Sequence, residues 1–393
     1  MQISYPKNVI KIAKILRSHG YKAYAVGGCM RDAIMGRVPN DWDMTTDCSP
    51  EKMLEIFDSE NIKTIPTGLK HGTVSILLDG EIFECTTFRI DGSYTDSRHP
   101  DGVTFTSNIT EDLRRRDFTC NAIAGDPLTE GRIVDVFGGR EDIEAKMIRA
   151  VGDPEKRFTE DALRILRAVR FATVLDFAID TETLAAAKDL GSRLLNIAVE
   201  RKSVELQKIL LSSNADRGIE LLLEIGLAKY VHPEIGSPKV PLSTLPESFS
   251  TRLAALFKDV PDLSRMKLSN EITKQTKILC DDAFYEEAKT KFVADDAKAR
   301  YMLSKYGEIA ADAALLRGER SLAKTIVIEK AKNPAVAIKD LSVSGNDLLS
   351  AGIEAKKLGK IISSLLLSVI EDPTINEKTH LTTIALSLAD RKE

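Results

Sequence analysis

One stretch, residues 24–47, constrains the fold of this chain more than any other. It reads YAVGGCMRDAIMGRVPNDWDMTTD. A short apolar run ends in Gly27 and Gly28, a helix-like segment follows, and Asp41 and Asp43 come next with one residue between them. A strand, a tight turn and a helix in so short a segment predict a mixed α/β unit.

The paired glycines suit a phosphate site. Without a Cβ, backbone amides at Gly27 and Gly28 can approach a phosphate closely. A helix that begins beside them presents unpaired N–H groups to an anion. By itself, however, a Gly-Gly pair is typical of an ordinary turn.

The two aspartates suit a metal site. If the segment is extended, Asp41 and Asp43 point to the same face, because side chains alternate along a strand. Two hard carboxylates on one face are good ligands for Mg²⁺. An isolated Asp-x-Asp is typical of a solvated loop or a helix cap, but beside a phosphate-binding turn it indicates nucleotide chemistry. The combination resembles the nucleotidyltransferase superfamily founded on DNA polymerase β.

Composition limits the partners and the compartment. The net charge is −4, so a nucleic-acid partner needs a local basic patch rather than a global positive field. The five cysteines contain no CxxC pair, which argues against zinc sites and disulfides and fits a cytoplasmic protein. No apolar run is long enough to span a membrane, so we expect no membrane partner.

Local signals predict the elements of the first part. Residues 8–18 have helical periodicity, and Ser49-Pro50-Glu51 is typical of a helix start. Two β runs, Thr73–Leu78 and Glu81–Phe88, are joined by Asp79-Gly80, which predicts a hairpin.

Helical periodicity dominates after about residue 145. We expect helices that begin at Thr159 and that cover 285–307, among others. The predicted fold class is α+β: a polymerase β-like α/β head with a mixed sheet, followed by an all-α elongated arm. The predicted domains are a catalytic head (1–145), a helical neck for base recognition (146–212), a helical body (213–310) and a tRNA-binding tail (311–393).

Glu84 in the second hairpin strand is a further candidate. A carboxylate in a strand near an aspartate pair can be a third metal ligand or a base. An exposed strand glutamate without a role explains the same residue equally well.

A second cluster follows at residues 114–117, RRRD. Three adjacent arginines are typical of a solvated basic turn, but the apolar run after them ties them to a packed element. Arginine can fork onto phosphate oxygens. The adjacent Asp117 can accept a hydrogen bond from a ribose hydroxyl, which would favour ribonucleotides.

A third cluster lies at Asp161 and Arg164, which would be neighbours on one helical face. The simplest interpretation is an ion pair worth roughly 0.2–0.5 kcal/mol. Alternatively, the pair reads a base: cytosine and adenine both place an amine beside a ring-nitrogen acceptor. Uracil and guanine reverse that pattern and leave buried groups unpaired, at about 1–3 kcal/mol each.

Four motifs in order complete a resemblance. VGGCMRD with DWD, RRRDFTCNAIA, DVFGGREDI and EDALRILRAVRFA resemble the class II CCA-adding enzymes, the bacterial and eukaryotic tRNA nucleotidyltransferases, and the related bacterial poly(A) polymerases. The resemblance implies template-independent addition of C, C and A to the tRNA 3′ end from CTP and ATP. The implied reaction is a two-metal nucleotidyl transfer that releases pyrophosphate, with Mg²⁺ as cofactor. The helical arm would bind the acceptor and TΨC arms of tRNA.

The resemblance also implies roles for the matching residues, and the polar segment 89–102 corresponds to the family's flexible loop. The implied roles are catalysis and metal binding by Asp41 and Asp43 with Glu84 as third carboxylate; triphosphate binding by Gly27, Gly28 and Arg31; ribose contacts by Arg116 and Asp117; base recognition by Asp161 and Arg164, oriented by Glu160; with Asn121, Arg167 and Arg170 as further candidates.

Several alternatives stay open. Arg201, Glu205 and Gly226 match the CCA-adding branch, and the tail is only mildly charged, which argues against a poly(A) polymerase. A CC-only or A-only enzyme, a poly(A) polymerase and a non-catalytic tRNA-binding protein remain alternatives. The sequence leaves the oligomeric state open.

Overall fold

The computed structural model describes residues 3–92, 102–129 and 131–390. The chain divides into two compact units after Pro233. The strands, all in the first unit, are Ala23–Val26 (β1), Met44–Thr46 (β2), Thr64–Gly68 (β3), Thr73–Leu78 (β4), Glu81–Thr87 (β5), Arg89–Asp91 (β6), Val103–Phe105 (β7), Ala124–Gly125 (β8), Ile133–Val134 (β9), Met147–Ile148 (β10) and Ala178–Ile179 (β11).

Helices occur in both units. Those of the first unit are Lys7–Ser18 (α1), Gly28–Ile34 (α2), Pro50–Ser59 (α3), Ile109–Arg114 (α4), Gly139–Glu144 (α5), Pro154–Glu160 (α6), Leu163–Leu175 (α7), Thr181–Asp189 (α8), Val199–Leu210 (α9), Ala215–Glu224 (α10) and Ala228–Val231 (α11). Those of the second are Phe249–Ala254 (α12), Asn270–Cys280 (α13), Ala283–Lys291 (α14), Asp295–Tyr306 (α15), Ala310–Leu315 (α16), Arg320–Ala331 (α17), Gly345–Ser350 (α18), Ala355–Glu371 (α19) and Lys378–Asp390 (α20).

The main sheet has seven strands in the order β3-β4-β5-β2-β1-β8-β9. Strands β2 and β5 are parallel, and the other neighbouring pairs are antiparallel, so the sheet is mixed as predicted. Met44 is aligned with Cys85. The residues one step earlier, Asp43 and Glu84, therefore lie side by side along neighbouring strands.

The local signals of the head are confirmed. Asp79 and Gly80 have φ of 52° and 83° between β4 and β5, as a two-residue hairpin turn requires. The Ser49 side chain accepts from the Lys52 amide at 3.3 Å and begins α3. Helix α1 buries Val9 and Ile12 on one face.

The prediction that a helix begins at Thr159 is wrong. The Asp153 carboxylate accepts from the amides of Glu155 and Lys156 and starts α6 earlier. That helix ends at Glu160, and Asp161 has an extended backbone with φ −138° and ψ 103°. The two cap signals overlap, and the Asp-Pro pair wins because it satisfies two free amides and fixes φ at the first position.

Two further details differ from expectation. A short parallel pair, β10 with β11, lies within the region predicted to be helical. The helix predicted over 285–307 is two helices, α14 and α15, separated at residues 292–294. The division into head, neck, body and tail stays a prediction.

In the second unit, helices are the only regular secondary structure over residues 234–390, and the unit has a core of its own near the C-terminal end. Leu348, Leu365 and Leu381 are fully buried there. All five cysteines of the chain are buried free thiols. Within the described ranges, no helix combines the length and apolarity needed to cross a membrane.

Candidate active site

The glycine turn connects β1 to α2 and faces the arginine cluster. Gly27 has φ of 83°, a region that side chains rarely adopt, and its amide donates to the Ile123 carbonyl at 3.1 Å. A Cβ there would lie 2.9 Å from Nη1 of Arg116. At Gly28 a Cβ would make only an ordinary contact, 3.7 Å from Nη2 of Arg31. Packing therefore requires glycine at position 27, whereas at 28 it leaves room for an approaching ligand.

Arg31 is held rigidly in α2. Its Nη1 donates to Asn121 Oδ1 at 2.7 Å, and its Nε donates to Asp32 Oδ1 at 2.8 Å. Asn121 in turn donates from Nδ2 to Asp117 Oδ1 at 3.2 Å. Asn121 thus links the predicted triphosphate residue to the predicted ribose residue.

Three carboxylates gather at the edge of β2 and β5. The Asp43 carbonyl accepts from the Val26 amide at 2.9 Å, which fixes the segment beside the glycine turn. Desolvation and the negative charges of Asp41 and Glu84 raise the pKa of Asp43 to about 6, although Arg116 opposes the rise. Asp43 is exposed to solvent, so folding removes only part of its hydration. Asp41 and Glu84 each therefore lie close enough to Asp43 to repel its negative charge.

The carboxylates of Asp41, Asp43 and Glu84 suit a hard divalent cation that arrives with other ligands already bound. Within the described residues, no group of three or more His, Cys, Asp or Glu side chains is placed so that it could hold a metal ion. A cation held by two carboxylates completes its coordination with substrate phosphates and water. The all-oxygen donor set of Asp41 and Asp43 fits that arrangement.

Asp117 and Arg116 lie between the glycine turn and α7. Asp117 Oδ2 accepts from Nε and Nη2 of Arg167 at 2.8 and 2.5 Å, and Oδ1 accepts from the Phe118 amide at 2.8 Å. Burial alone would raise the pKa of Asp117, but Arg167 and Asn121 lower it to about 2. Asp117 is therefore ionised throughout the working pH range.

Arg116 is less completely bound than its neighbours. Its Nε is buried without a hydrogen-bond partner in the part of the chain that the structure describes. Its Nη2 lies 3.6 Å from a carboxylate oxygen of Asp112. Arg116 thus keeps hydrogen-bonding capacity for a ligand.

The residues predicted to read the base lie at the break between α6 and α7. Arg164 donates from Nη1 to Glu160 Oε2 at 2.9 Å and from Nη2 to the Arg115 carbonyl at 2.9 Å. Asp161 does not pair with Arg164; its Oδ2 accepts from Nη2 of Arg201 at 2.9 Å. The interpretation of Asp161 and Arg164 as a simple ion pair is therefore wrong. The two residues are nevertheless neighbours in one turn, because the Arg164 amide donates to the Asp161 carbonyl at 3.0 Å.

Helix α9 supplies two residues whose contacts the sequence did not reveal. Arg201 pairs with Asp161, and Glu205 accepts from Nε of Arg170 at 2.5 Å. The i,i+4 spacing of Arg201 and Glu205 places both on one face of the helix. That spacing was the available signal, but it names no partner 35 to 40 residues away.

Phe171 collects three guanidinium groups. The Cζ atoms of Arg31, Arg167 and Arg170 lie 5.4, 5.2 and 3.9 Å from its ring centroid. Each distance is within the range of cation–π attraction. The ring thereby brings Arg31 of α2 and the two arginines of α7 to one place.

The polar segment 89–102, predicted to correspond to the flexible loop, is described only in part. Its residues 93–101 lie outside the described residues.

Comparisons with known proteins agree with this geometry. Residues 23–149 match the family model described as the poly A polymerase head domain, and residues 176–237 match that of a probable RNA and SrmB-binding site of polymerase A. The chain is 37% identical to a CCA-adding enzyme of Levilactobacillus brevis over 385 residues, covering 94% of this chain and 95% of the relative.

Solved structures show the same fold. The CCA-adding enzyme of Bacillus stearothermophilus in complex with CTP has a TM-score of 0.80 and 31% identity, with 98% of each chain covered. The Thermotoga maritima CCA-adding enzyme complexed with tRNA has a TM-score of 0.75, covers 98% of this chain and 96% of its own, and at 22% identity supports the fold alone.

Proposed function

This chain belongs to the CCA-adding enzyme family, and on that premise we propose how its residues carry out nucleotidyl transfer. The enzyme adds C, C and A to the 3′ end of tRNA from CTP and ATP without a nucleic-acid template, and each addition releases pyrophosphate. It is a tRNA nucleotidyltransferase whose partners are tRNA, CTP and ATP. The observation that carries the proposal is the carboxylate group beside Gly27, with Arg116 facing Asp43.

In the proposed mechanism Asp41 and Asp43 hold the metal ion, which we propose is Mg²⁺, and Glu84 is the third carboxylate. When bound, Mg²⁺ neutralises phosphate oxygens and lowers the pKa of the tRNA 3′-hydroxyl. The 3′-hydroxyl gives up its proton to solvent water, and its oxygen forms a bond to the α-phosphorus as the bond to pyrophosphate breaks. Because Asp43 has a pKa of about 6, it is mostly ionised at neutral pH and ready to hold a cation.

The triphosphate is bound at the opposite side of the glycine turn. The open space at Gly28 lets backbone amides approach phosphate oxygens. Arg31 has its guanidinium fixed by Asn121 and Asp32, so little conformational freedom is lost when it meets an anion. Arg167 and Arg170 extend the same cationic region around Phe171.

Arg116 and Asp117 are proposed to contact the ribose. Asp117 already accepts from Arg167 and Asn121, so a ribose hydroxyl would share a carboxylate that is held in place. Such a site rejects deoxyribonucleotides because the missing hydroxyl leaves a buried acceptor less satisfied.

Asp161 and Arg164 are proposed to read the base edge, with Glu160 orienting Arg164. Asp161 would accept from the amine of cytosine or adenine, and Arg164 would donate to the ring nitrogen. The pairing of Asp161 with Arg201 leaves Oδ1 bound to the Leu163 amide at 3.0 Å, so the carboxylate is already aligned.

The second unit is proposed to bind the acceptor and TΨC arms of tRNA, by backbone and shape rather than by sequence. We keep the division into head (1–145), neck (146–212), body (213–310) and tail (311–393) as part of this proposal. Cytoplasmic placement is likewise proposed, since five free thiols persist in a reducing compartment.

One assay tests the proposal. The substrate is a tRNA that ends at the discriminator base, incubated with Mg²⁺ and with each nucleoside triphosphate singly and together. We expect two additions with CTP alone, three with CTP and ATP, and none with UTP or GTP. Long tails with ATP alone would instead identify a poly(A) polymerase, and a stop after two additions with both substrates would identify a CC-adding enzyme.

A further inference from the structure

A fully buried carboxylate, Asp112, connects the metal side of the site to the arginine cluster. It lies in α4 and has no exposed surface. Its Oδ1 accepts from Arg115 Nε at 2.9 Å and from the Arg89 amide at 3.4 Å. Its Oδ2 accepts from the Thr45 hydroxyl at 3.4 Å and lies 3.6 Å from Nη2 of Arg116. One side chain thus joins β2, β6 and the turn after α4.

Asp112 treats its two arginines differently. Arg115 reaches it with both Nε and Nη2, at 2.9 and 2.8 Å, which is a close two-point contact. Arg116 stays at 3.6 Å, within electrostatic range but beyond a hydrogen bond. Because both contacts of Arg115 go to Oδ1, Oδ2 faces Arg116, which is attracted to Asp112 without being captured by it.

The surroundings of Arg116 make that attraction decisive. Burial lowers the pKa of Arg116, and Asp112 is the largest influence that opposes the fall, ahead of Asp117 and Asp43. Gly27 leaves no room on the Nη1 side. Arg116 therefore lies in the field of three carboxylates, of which Asp117 and Asp43 belong to the proposed ribose and metal contacts, and Asp112 lies 3.6 Å from it.

We infer that Asp112 is a positioning residue for nucleotidyl transfer: it keeps Arg116 between Asp43 and the ribose instead of allowing it to collapse onto Asp43. This inference rests on the proposed contact of Arg116 with the ribose. Base reading depends on Asp112 less directly, since Glu160 holds Arg164 by its side chain and Arg115 contributes only its backbone carbonyl.

The test is the variant Asp112→Asn, which keeps the shape of the side chain and removes its charge. Steady-state kcat and KM are measured for CTP, dCTP and UTP on a tRNA that ends at the discriminator base. We expect kcat/KM for CTP to fall about 10- to 100-fold, as for other misplaced catalytic groups. The preference for CTP over dCTP should shrink, while the preference for CTP over UTP stays unchanged.

Asp126→Asn is the matched control. Asp126 is buried to the same degree in the same unit, and its ion-pair partners, Arg17 at 3.1 Å and Arg132 at 3.9 Å, are not those of Asp112. Its replacement should lower the melting temperature but leave both preferences unchanged. A purely structural role for Asp112 would give the same pattern and would overturn the inference.

Two more variants separate the possible failures. Arg116→Lys tests the ribose contact directly: if it leaves the CTP:dCTP preference intact, the proposed contact itself fails. Arg115→Leu removes the competing partner of Asp112, so Asp112 can draw Arg116 towards itself and the preference for CTP over dCTP should shrink. This variant tests the inference if Asp112→Asn does not fold. If Arg116→Lys loses the preference while folded Asp112→Asn or Arg115→Leu keeps it, Asp112 does not position Arg116.

Discussion

At the proposed metal end of the site, Asp41 and Glu84 each repel Asp43, and none of the three forms an ion pair among the described residues. At the proposed base-reading end, every charged group has a partner. Glu160 holds Arg164, and Arg201 holds Asp161. The first region is an incomplete set of ligands, and the second is a finished network.

The difference reflects what each region must do. A metal ion and a triphosphate bring charge with them, so repulsion among free carboxylates is relieved only when they bind. A base brings no net charge, and its edge is read by direction, so the groups that read it must be fixed beforehand. Predictions that treat the two regions separately can test this contrast.

The largest effect is expected from Asp43→Asn. Loss of one metal-holding carboxylate should lower kcat at least about 10²- to 10³-fold, because it removes charge stabilisation in the transition state. Tight binding of tRNA, measured by filter retention, should persist. Asp58→Asn, which changes an exposed carboxylate on α3, serves as control and should keep full activity. Full activity in Asp43→Asn would reject the metal assignment.

Replacement of the base-reading carboxylate should change choice more than speed. Asp161→Ala should reduce discrimination against UTP and GTP by about 10- to 100-fold, corresponding to one unpaired buried group. Competition assays with mixed nucleotides measure the ratio. Arg201→Met, which leaves Asp161 unpaired but present, should shift the ratio in the same direction and less strongly. Unchanged ratios in both variants would contradict the base-reading role.

The pH dependence should separate the two ends. Asp43 must be ionised to hold a cation, and its pKa is about 6, so kcat/KM should fall about tenfold per unit as the pH drops below 6. A higher Mg²⁺ concentration should move this limb to lower pH. Asp117 has a pKa of about 2 and stays ionised, so the CTP:dCTP preference should be constant between pH 5 and 8. If the CTP:dCTP preference instead falls with kcat/KM as the pH drops, Asp43 and the ribose contact at Asp117 do not titrate separately.

The smallest effects should appear in stability without metal. The pKa of Asp43 is raised on folding, so its proton stabilises the folded state at low pH and this contribution is lost as the pH rises through about 6. Asp43→Asn should therefore raise the melting temperature at pH 7.5. The pKa of Asp117 is lowered, so Asp117→Asn should lower the melting temperature at pH 7.5. Calorimetry over a pH series measures both, and equal signs would remove the contrast.

The parts of the molecule that follow local rules were predictable. The Asp79–Gly80 turn and the Ser49 cap each depend on a few consecutive residues, and both formed as expected. The start of α6 was missed because Asp153 and Thr159 give competing cap signals six residues apart, within less than two turns of helix.

The parts that depend on distant pairing were not predictable in the same way. The motif EDALR placed Asp161 and Arg164 together, but the true partner of Asp161 lies on α9. No period in the sequence specifies a contact over 40 residues. The gathering of Arg31, Arg167 and Arg170 around Phe171 likewise arises only when α2 packs against α7.

The buried cysteines have a practical consequence. Burial raises the pKa of Cys29, Cys48 and Cys120 to about 12, and that of Cys280 to about 11. Since only the thiolate attacks alkylating reagents, the native chain should react very slowly at neutral pH. Labelling therefore reports transient opening: modification of Cys29 times exposure of the glycine turn, and modification of Cys280 times exposure of the second unit, within one unaltered polypeptide.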